Sequence, residues 1–410
     1  MKKLVSVLLA AAMIFGLVAC SGGGSSSQAD PDAPKIGIIL VGDENEGYTY
    51  AHMEGIQNAA KKLGIADSQL LWKYNIGEDE ACHDAAVDLV ENGATIVFSN
   101  SYGHQTFMQQ AATEYPDITF IADTGDTAAV SGLPNLKNAF TSVYESRYVS
   151  GVVAGLKIKQ LADEGALVDA NFDENGNVKV GYVGAFPYAE VVSGYTAFYL
   201  GIKSVYPNVV MYVEYTNSWF NVNAEATVGD NLMSMGCVLI GQHADSTGAP
   251  SQLQKNMEEN KYGFTAYSVG YNVSMLDVAP DVALTSASNV WEVFYEYAFS
   301  QWLKGEDIKT DWTGGYNDGA VAITELGKSV APGTREAVDE TIAKIKSGEI
   351  HVFDASTFTI DGATPTSILG DVDADFVPET ECLIDGYFHE SEFRSAPYFS
   401  ARIDGITELN

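Results

Sequence analysis

Aromatic, amide and carboxyl side chains stand where the short apolar segments of this chain end. The aromatic side chains follow these segments in separate loops: Tyr48, Tyr102, Phe186, Trp219, Phe220 and Tyr271. The amide and carboxyl side chains are Asn100, Asp123, Asp245 and Asn272. Aromatic side chains stack on flat rings, while amide and carboxyl groups bind the edges of a heterocycle or the hydroxyl groups of a sugar. These residue types predict a site for a neutral, flat ligand with polar edges.

The same loops argue against several other kinds of chemistry. They contain no Lys or Arg, so phosphorylated or dicarboxylic ligands, which need cationic groups or glycine-rich nests, fit poorly. The histidines lack metal-ligand spacing, and the chain lacks the G-x-S-x-G, P-loop, G-x-G-x-x-G and H-E-x-x-H motifs. We therefore expect a binding protein rather than an enzyme, with no catalytic residues, no metal and no cofactor.

The elements that position these loops alternate between strand and helix. Residues 36–41, 94–98 and 118–122 are apolar segments of strand length, and residues 49–63 have the apolar spacing of a helix. A similar pattern begins again at residue 178. Buried strands separated by helices form parallel sheets with helices on both faces. We therefore predict two α/β lobes, with the ligand beyond the carboxyl ends of the strands.

The N terminus has the pattern of a lipoprotein signal peptide. Two lysines precede an apolar stretch over residues 4–19, which Cys20 follows. We expect residues 1–19 to be removed, Cys20 to be lipidated, and residues 20–34 to form a flexible tether. No later segment has 18 consecutive apolar residues, so the lipid anchor is the only predicted membrane attachment. The predicted location is the extracytoplasmic face of the cell membrane.

The charge of the chain limits its possible partners, and its cysteine content limits the metal and disulfide sites that it can form. The chain has 55 Asp and Glu against 22 Lys and Arg, a formal net charge of −33. Such a surface repels phosphate backbones, which argues against nucleic acid as a partner. Cys82, Cys237 and Cys382 are an odd number without zinc-site spacing, so they imply neither a metal site nor a disulfide framework. The sequence does not decide whether Cys82 and Cys382 form a disulfide bridge.

One glycine-containing motif and several shorter stretches carry a family resemblance. The most specific is Tyr148-x-x-Gly151-x-x-Ala154-Gly155. The others lie at residues 111–117, 180–184, 284–286 and 347–353. Together they resemble the basic membrane protein family of ABC-transporter substrate-binding lipoproteins, whose known members largely bind purine nucleosides or purine bases. The resemblance covers nearly the whole mature chain and implies the type I periplasmic-binding-protein fold.

That resemblance implies two Rossmann-like lobes with parallel sheets, joined by three crossovers, with the ligand in the cleft between them. The N-terminal lobe is predicted to comprise residues 35–143 plus 272–287. The C-terminal lobe is predicted to comprise residues 144–271 plus 288–410.

The loop sequences place the chain within the family. It is similar to the branch with a tryptophan in the loop, since residues 217–220 include Trp219 and are followed by residues 242–246, which include Asp245. The nucleoside-binding branch has a lysine shortly after its Leu-Thr-Ser strand, where this chain has Asn289. A free base or another flat heterocycle is therefore about as strongly expected as a nucleoside.

These observations predict clamshell capture for an ABC importer. The ligand bridges the lobes, closure buries it, and the closed form docks on a permease that works with an ATPase. The residues predicted to stack on the ligand or line the cleft are Tyr48, Tyr102, Phe186, Trp219 and Trp291. The residues predicted to bind polar edges are Asn100, Asp123, Asp245, Asn272 and Asn289.

Two alternatives remain for the same cleft. A ligand-sensing surface lipoprotein for another flat heterocycle or small polar ligand would couple to a receptor instead of to transport. A nucleoside-processing enzyme would need several close carboxylates or a metal to hold a water molecule or nucleophile, and the sequence does not predict such a cluster.

Overall fold

The computed structural model describes residues 33–410. The predicted signal peptide, Cys20 and all but the last two residues of the predicted tether lie outside the described residues. In the described part, no helix is both long enough and apolar enough to cross a membrane. Pro34–Asn410 forms one compact unit.

Short apolar segments form the strands. In chain order they are β1 (Lys35–Ile39), β2 (Leu70–Lys73), β3 (Ala94–Ser99), β4 (Thr119–Asp123), β5 (Leu136–Thr141), β6 (Val178–Gly184), β7 (Val209–Tyr215), β8 (Leu239–Gln242), β9 (Tyr267–Tyr271), β10 (Ala283–Asn289), β11 (Asp311–Gly314), β12 (Val321–Ile323), β13 (Leu369–Gly370), β14 (Thr380–Glu381), β15 (Leu383–Ile384), β16 (Tyr387–Phe388) and β17 (Ile406–Glu408). The short strands β13 to β16 form two separate antiparallel pairs.

The longer strands form two sheets in residues 33–410. The first has the order β11-β5-β4-β3-β1-β2, with every pair parallel. The second has the order β12-β10-β9-β8-β6-β7-β17, in which the edge strand β12 pairs antiparallel and the others pair parallel. The prediction of two α/β lobes built on parallel sheets is confirmed.

Segments with apolar residues at helical spacing form most of the helices. The helices are α1 (Gly47–Leu63), α2 (Glu80–Glu91), α3 (Gln105–Glu114), α4 (Val143–Asp163), α5 (Ala189–Val205), α6 (Val222–Ser234), α7 (Gly248–Glu258), α8 (Trp291–Lys304) and α9 (Thr334–Ser347). Of these, α4 and α5 are instead largely buried. Helix α1 shows the spacing: His52, Ile56 and Ala59 recur at helical spacing and are all buried. It ends at Gly64, whose φ of 74° is a left-handed conformation that glycine adopts without a steric penalty.

The chain passes between the sheets three times: between β5 and α4, between β10 and α8, and between β11 and β12. The predicted lobe boundaries differ from this arrangement. Strand β10 pairs with β9 in the second sheet, although most of it was assigned to the N-terminal lobe. Helix α8 and strand β11 belong with the first sheet, because Trp291 and Phe294 pack in the core that holds Ile38. The second crossover therefore falls at Val290.

The cysteines of the described residues are structural. Cys82, Cys237 and Cys382 are buried and unbridged, so the bridge between Cys82 and Cys382 that the sequence left open is not formed. Burial raises the pKa of the Cys82 thiol and of the Cys237 thiol to about 12. Both thiols stay protonated and pack as small apolar groups.

The Tyr-x-x-Gly-x-x-Ala-Gly motif lies in α4, where α4 packs against α5. A Cβ on Gly151 would lie 2.2 Å from the carbonyl oxygen of Phe198, and one on Gly155 would lie 2.8 Å from that of Ile202. Gly201 on α5 makes the reciprocal approach, since its Cβ would lie 2.1 Å from the carbonyl oxygen of Tyr148. The motif therefore permits backbone contact between two buried helices.

We expect Gly151→Ala to lower the free energy of unfolding by about 2 kcal/mol, measured by urea denaturation. Alanine favours a helix over glycine by about 1 kcal/mol, but the clash with a backbone oxygen costs more. Gly165→Ala is the control, because a Cβ there meets nothing within 4 Å and only its φ of 68° opposes the change. An increase in stability for Gly151→Ala would show that the helices do not need this contact.

Candidate ligand-binding site

A cavity with about 460 Å³ of empty space, part of it open to solvent, lies between the lobes at the carboxyl ends of their strands. From the first lobe it is lined by Val41, Glu46, Tyr48, Asn100, Ser101, Tyr102 and Thr124. From the second lobe it is lined by Glu190, Trp219, His243, Asp245 and Tyr271. Loops that are far apart in sequence thus meet around one space, as the parallel strand order requires.

Half of the predicted ligand contacts line this cavity. They are Tyr48, Asn100, Tyr102, Trp219 and Asp245. The predicted wall residue Phe186 lies behind them, with its ring edge-on to Trp219 and the ring centroids 5.0 Å apart. Phe186 therefore supports the tryptophan rather than lining the space.

A chain of hydrogen bonds holds the carboxyl group of Asp245, and we call it the amide relay. The Oγ1 of Thr141 donates to Oδ1 of Asn289 over 2.5 Å. The Nδ2 of Asn289 donates to Oδ1 of Asn272 over 2.9 Å, and the Nδ2 of Asn272 donates to Oδ1 of Asp245 over 2.8 Å. Asn272 and Asn289, both predicted to bind the ligand, instead position a residue that lines the cavity.

Asp123 and Trp291 lie inside the first lobe, which differs from their predicted roles. Asp123 and Ile121 are two residues apart on β4, so their side chains point to the same face of the sheet. That face packs in the core that contains Trp291. Its Oδ2 accepts a hydrogen bond from the hydroxyl of Tyr295 at 2.7 Å, and His52 stacks on Trp291. Burial raises the pKa of Asp123 well above its usual value and lowers that of His52 well below.

Several carboxyl groups share the cavity, which the sequence did not predict. Glu46, Glu190 and Asp245 all line it. Burial raises the pKa of Asp245 well above its usual value, and the nearby carboxylates of Glu46, Glu225 and Glu190 raise it further. Buried acceptors of this kind favour a ligand that brings N–H or O–H donors.

A buried arginine also reaches the cavity wall. The guanidinium of Arg147 lies 3.7 Å from the ring centre of Tyr271 and donates to the carbonyl oxygen of Gln242 over 2.5 Å. Beside it, Nε2 of His243 lies 3.0 Å from Oε1 of Glu190. Burial and the charge of Arg147 lower the pKa of His243 to about 4, so its imidazole is neutral at pH 7.

These residues were missed for identifiable reasons. Arg147 lies in the first turns of α4, not in a strand-end loop, so a search of those loops cannot find it. Its position just after the first crossover is the signal that points to the cleft. Glu46 lies in the loop after β1, and Glu190 lies at the start of α5, just after the loop that follows β6; in sequence each is close to an aromatic residue with a stronger ligand-binding signal.

Glu225 supports the loop that carries Asp245. It is fully buried in the first turn of α6, where its carboxyl oxygens accept from the backbone N–H of Ser246 at 3.1 and 3.2 Å. Its Oε1 also accepts from the backbone N–H of Asn221 at 3.0 Å. Burial raises the pKa of Glu225 to about 7, against the lowering effect of these hydrogen bonds.

Two parallel-sheet lobes, three crossovers and a cavity between facing strand ends define the type I periplasmic-binding-protein fold. A solved ABC-transporter solute-binding protein from Aeropyrum pernix K1 has this fold. It matches with a TM-score of 0.62 over 82% of this chain and 94% of that chain, at 14% identity.

The sequence model of the Bmp family, described as ABC transporter substrate-binding protein PnrA-like, matches residues 33–356, and the chain belongs to this family. It is therefore a substrate-binding protein of an ABC transporter and not an enzyme. This role implies an extracytoplasmic location, a small-molecule ligand, and a permease and ATPase as partners.

Two curated relatives have names that refer to different ligands. A purine-binding protein of Brucella abortus is 28% identical over 80% of this chain and 85% of its own length. A putative ABC transporter glucose-binding protein of Haloferax volcanii is 24% identical over 82% of this chain and 78% of its own length.

The raised pKa of Glu225 predicts a pH dependence of stability. The folded state holds this proton more tightly than the unfolded state, so the stabilisation is complete below the unfolded pKa and is lost as pH rises through about 7. Glu225→Gln should remove this pH-dependent decrease in the free energy of unfolding, which is on the order of 3 kcal/mol between pH 4.5 and 8.5. Urea unfolding at both pH values measures it. Glu174→Gln, in an exposed turn, should follow the wild type, and an identical pH dependence in all three proteins would contradict the prediction.

Proposed function

We propose that the protein captures a purine nucleoside or purine base between its lobes and delivers it to the permease of an ABC importer. One observation carries the proposal: an aromatic ring and a buried carboxyl group stand side by side on the cavity wall. The backbone N–H of Asp245 donates to the carbonyl oxygen of Trp219 over 2.8 Å, which ties the two loops together. A purine offers a flat face to the ring and ring N–H or amino groups to the carboxyl group.

The surrounding charges support a ligand that is rich in donors and carries no negative charge. Glu46, Glu190 and Asp245 place carboxyl oxygens where an anion would need hydrogen-bond donors, so a nucleotide is a poor fit. The similarity to the Brucella purine-binding protein supports the purine assignment. A sugar is the second candidate, because hydroxyl groups also donate to carboxylates and because the Haloferax relative is named for glucose.

Thermal unfolding with and without ligand tests the assignment. Using the unlipidated Cys20→Ser protein, we expect inosine, guanosine, adenosine or hypoxanthine to raise the Tm, because a ligand that binds only the folded state stabilises it. Trp219→Ala should weaken binding of the same purine about tenfold or more, since base stacking on an aromatic ring is worth about 1 to 3 kcal/mol. Isothermal titration measures the loss.

Trp302→Ala is the matched control. This tryptophan packs on the outside of the first-lobe core and does not line the cavity, so purine affinity should stay within about twofold of wild type. A rise in Tm with glucose or another sugar, and none with any purine, would contradict the purine assignment and favour the second candidate.

We also propose that Cys20 carries the lipid that holds the protein at the extracytoplasmic face of the membrane. The lysines, apolar stretch and small residue before Cys20 support this. In cells that process lipoproteins, the wild type should sediment with membranes and enter the detergent phase, whereas Cys20→Ser should lose both properties. Cys82→Ser is the control, because that thiol is buried in the fold. Equal partitioning of wild type and Cys20→Ser would contradict the anchor.

A further inference from the structure

A second compartment adjoins the cavity between the lobes. It contains about 960 Å³ of empty space, part of it open to solvent, and Tyr102, Thr124 and Glu190 line both this compartment and the first cavity. Its outer side is formed by residues 371–400, which we call the C-terminal wall. This wall follows residues 33–356, the stretch that matches the family, so the family match does not extend to it.

The C-terminal wall is fixed firmly to the second lobe. The rings of Phe353 and Phe399 stack with centroids 4.4 Å apart, within the core of that lobe. The carboxyl oxygens of buried Glu390 accept from the backbone N–H groups of Tyr398 at 2.7 Å and Phe399 at 2.8 Å. A wall held by packing and by buried hydrogen bonds can define the shape of a binding compartment.

The same wall reaches the first lobe. The backbone N–H of Ser395 donates to Oδ2 of Asp311 on strand β11 over 2.7 Å. Next to it, Nη1 of Arg394 lies 3.2 Å from Oδ2 of Asp126, in the loop after β4, and 3.7 Å from Oδ2 of Asp371. The second compartment is therefore lined from both lobes, and Arg394 is one of the residues that line it.

Polar atoms in this compartment lack hydrogen bonds within residues 33–410. They include Oδ1 of Asp126 and Oδ1 of Asp371, and also Nη1 of Arg394, which forms an ion pair with Oδ2 of Asp126 but makes no hydrogen bond. Arg394 is 7% exposed and Asp126 is 9% exposed. Buried polar atoms without partners cost free energy, so a ligand that supplies both donors and acceptors gains by entering.

We propose that this compartment is a second subsite that receives the hydroxylated substituent of the ligand while its ring occupies the first cavity. The inference rests on the proposed function and narrows its substrate class to nucleosides over free bases. The carboxyl groups of Asp126 and Glu190 accept from hydroxyl groups, and the guanidinium of Arg394 donates to hydroxyl or ether oxygens. Two carboxylates flank the single guanidinium, so a phosphate is disfavoured.

The remainder of the lining agrees with a sugar-like group. Tyr102, Tyr188 and Tyr398 line the compartment, and aromatic rings can pack against the C–H face of a pentose ring. An alkyl substituent of the same size would fill the space but leave Oδ1 of Asp126 and Oδ1 of Asp371 without hydrogen bonds.

Isothermal titration of the full protein with inosine and with hypoxanthine tests the subsite. We expect wild type to bind inosine at least tenfold more tightly than hypoxanthine. Arg394→Met should lower inosine affinity about tenfold and change hypoxanthine affinity less than twofold. Arg335→Met, on the exposed surface of α9, is the matched control and should leave both affinities unchanged. Asp126→Asn keeps the side-chain shape and should give the same selective loss if Arg394→Met does not fold.

The outcomes separate the two proposals. Equal affinities for inosine and hypoxanthine in wild type, or an equal loss of both in Arg394→Met and Asp126→Asn, would overturn the subsite and leave purine capture standing. If neither compound binds wild type, the proposed function fails and the subsite for a nucleoside fails with it.

Discussion

The amide relay from Thr141 to Asp245 joins the crossovers to the cavity. Thr141 ends β5 just before the first crossover, and Asn289 ends β10 just before the second. Asn272 and Asp245 follow the next two strands of the second sheet. Because each amide accepts from one neighbour and donates to the next, the orientation of the Asp245 carboxyl group depends on the geometry at both crossovers. The relay therefore ties a residue of the binding site to both crossovers.

The cavity combines features that elsewhere in a protein would be destabilising. Carboxyl groups from three loops face one another, an arginine is buried against Tyr271, and His243 is held neutral. Buried ionisable groups without enough partners cost stability, and binding sites commonly carry that cost. The close backbone packing of α4 on α5 supplies rigidity directly behind this region, since Arg147 lies one helical turn before Gly151.

Sequence patterns predicted the layers and the strand-end loops well, because buried parallel strands have apolar runs that alternate with helical spacing. This alternation alone predicts that Tyr48, Trp219 and Asp245 lie in strand-end loops. The side chains of Asp123 and Trp291 could not be placed, because the direction of a side chain at a strand end depends on the pleat and on what packs beneath it. The lobe boundary was also missed, since β10 is apolar enough for either sheet and only its pairing with β9 decides.

The C-terminal wall has a consequence for how the site is assembled. A chain emerges from the ribosome, and crosses a membrane, with its N terminus first. The loops that carry Tyr48, Asn100 and Trp219 are therefore made long before Arg394, and β17 joins the second sheet only after the wall is complete. A truncated chain ending near residue 356 would lack one side of the compartment, and the second lobe would also lose strand β17 and the core residues Phe388 and Phe399. The order of synthesis thus delays completion of the site until almost the whole chain has been made.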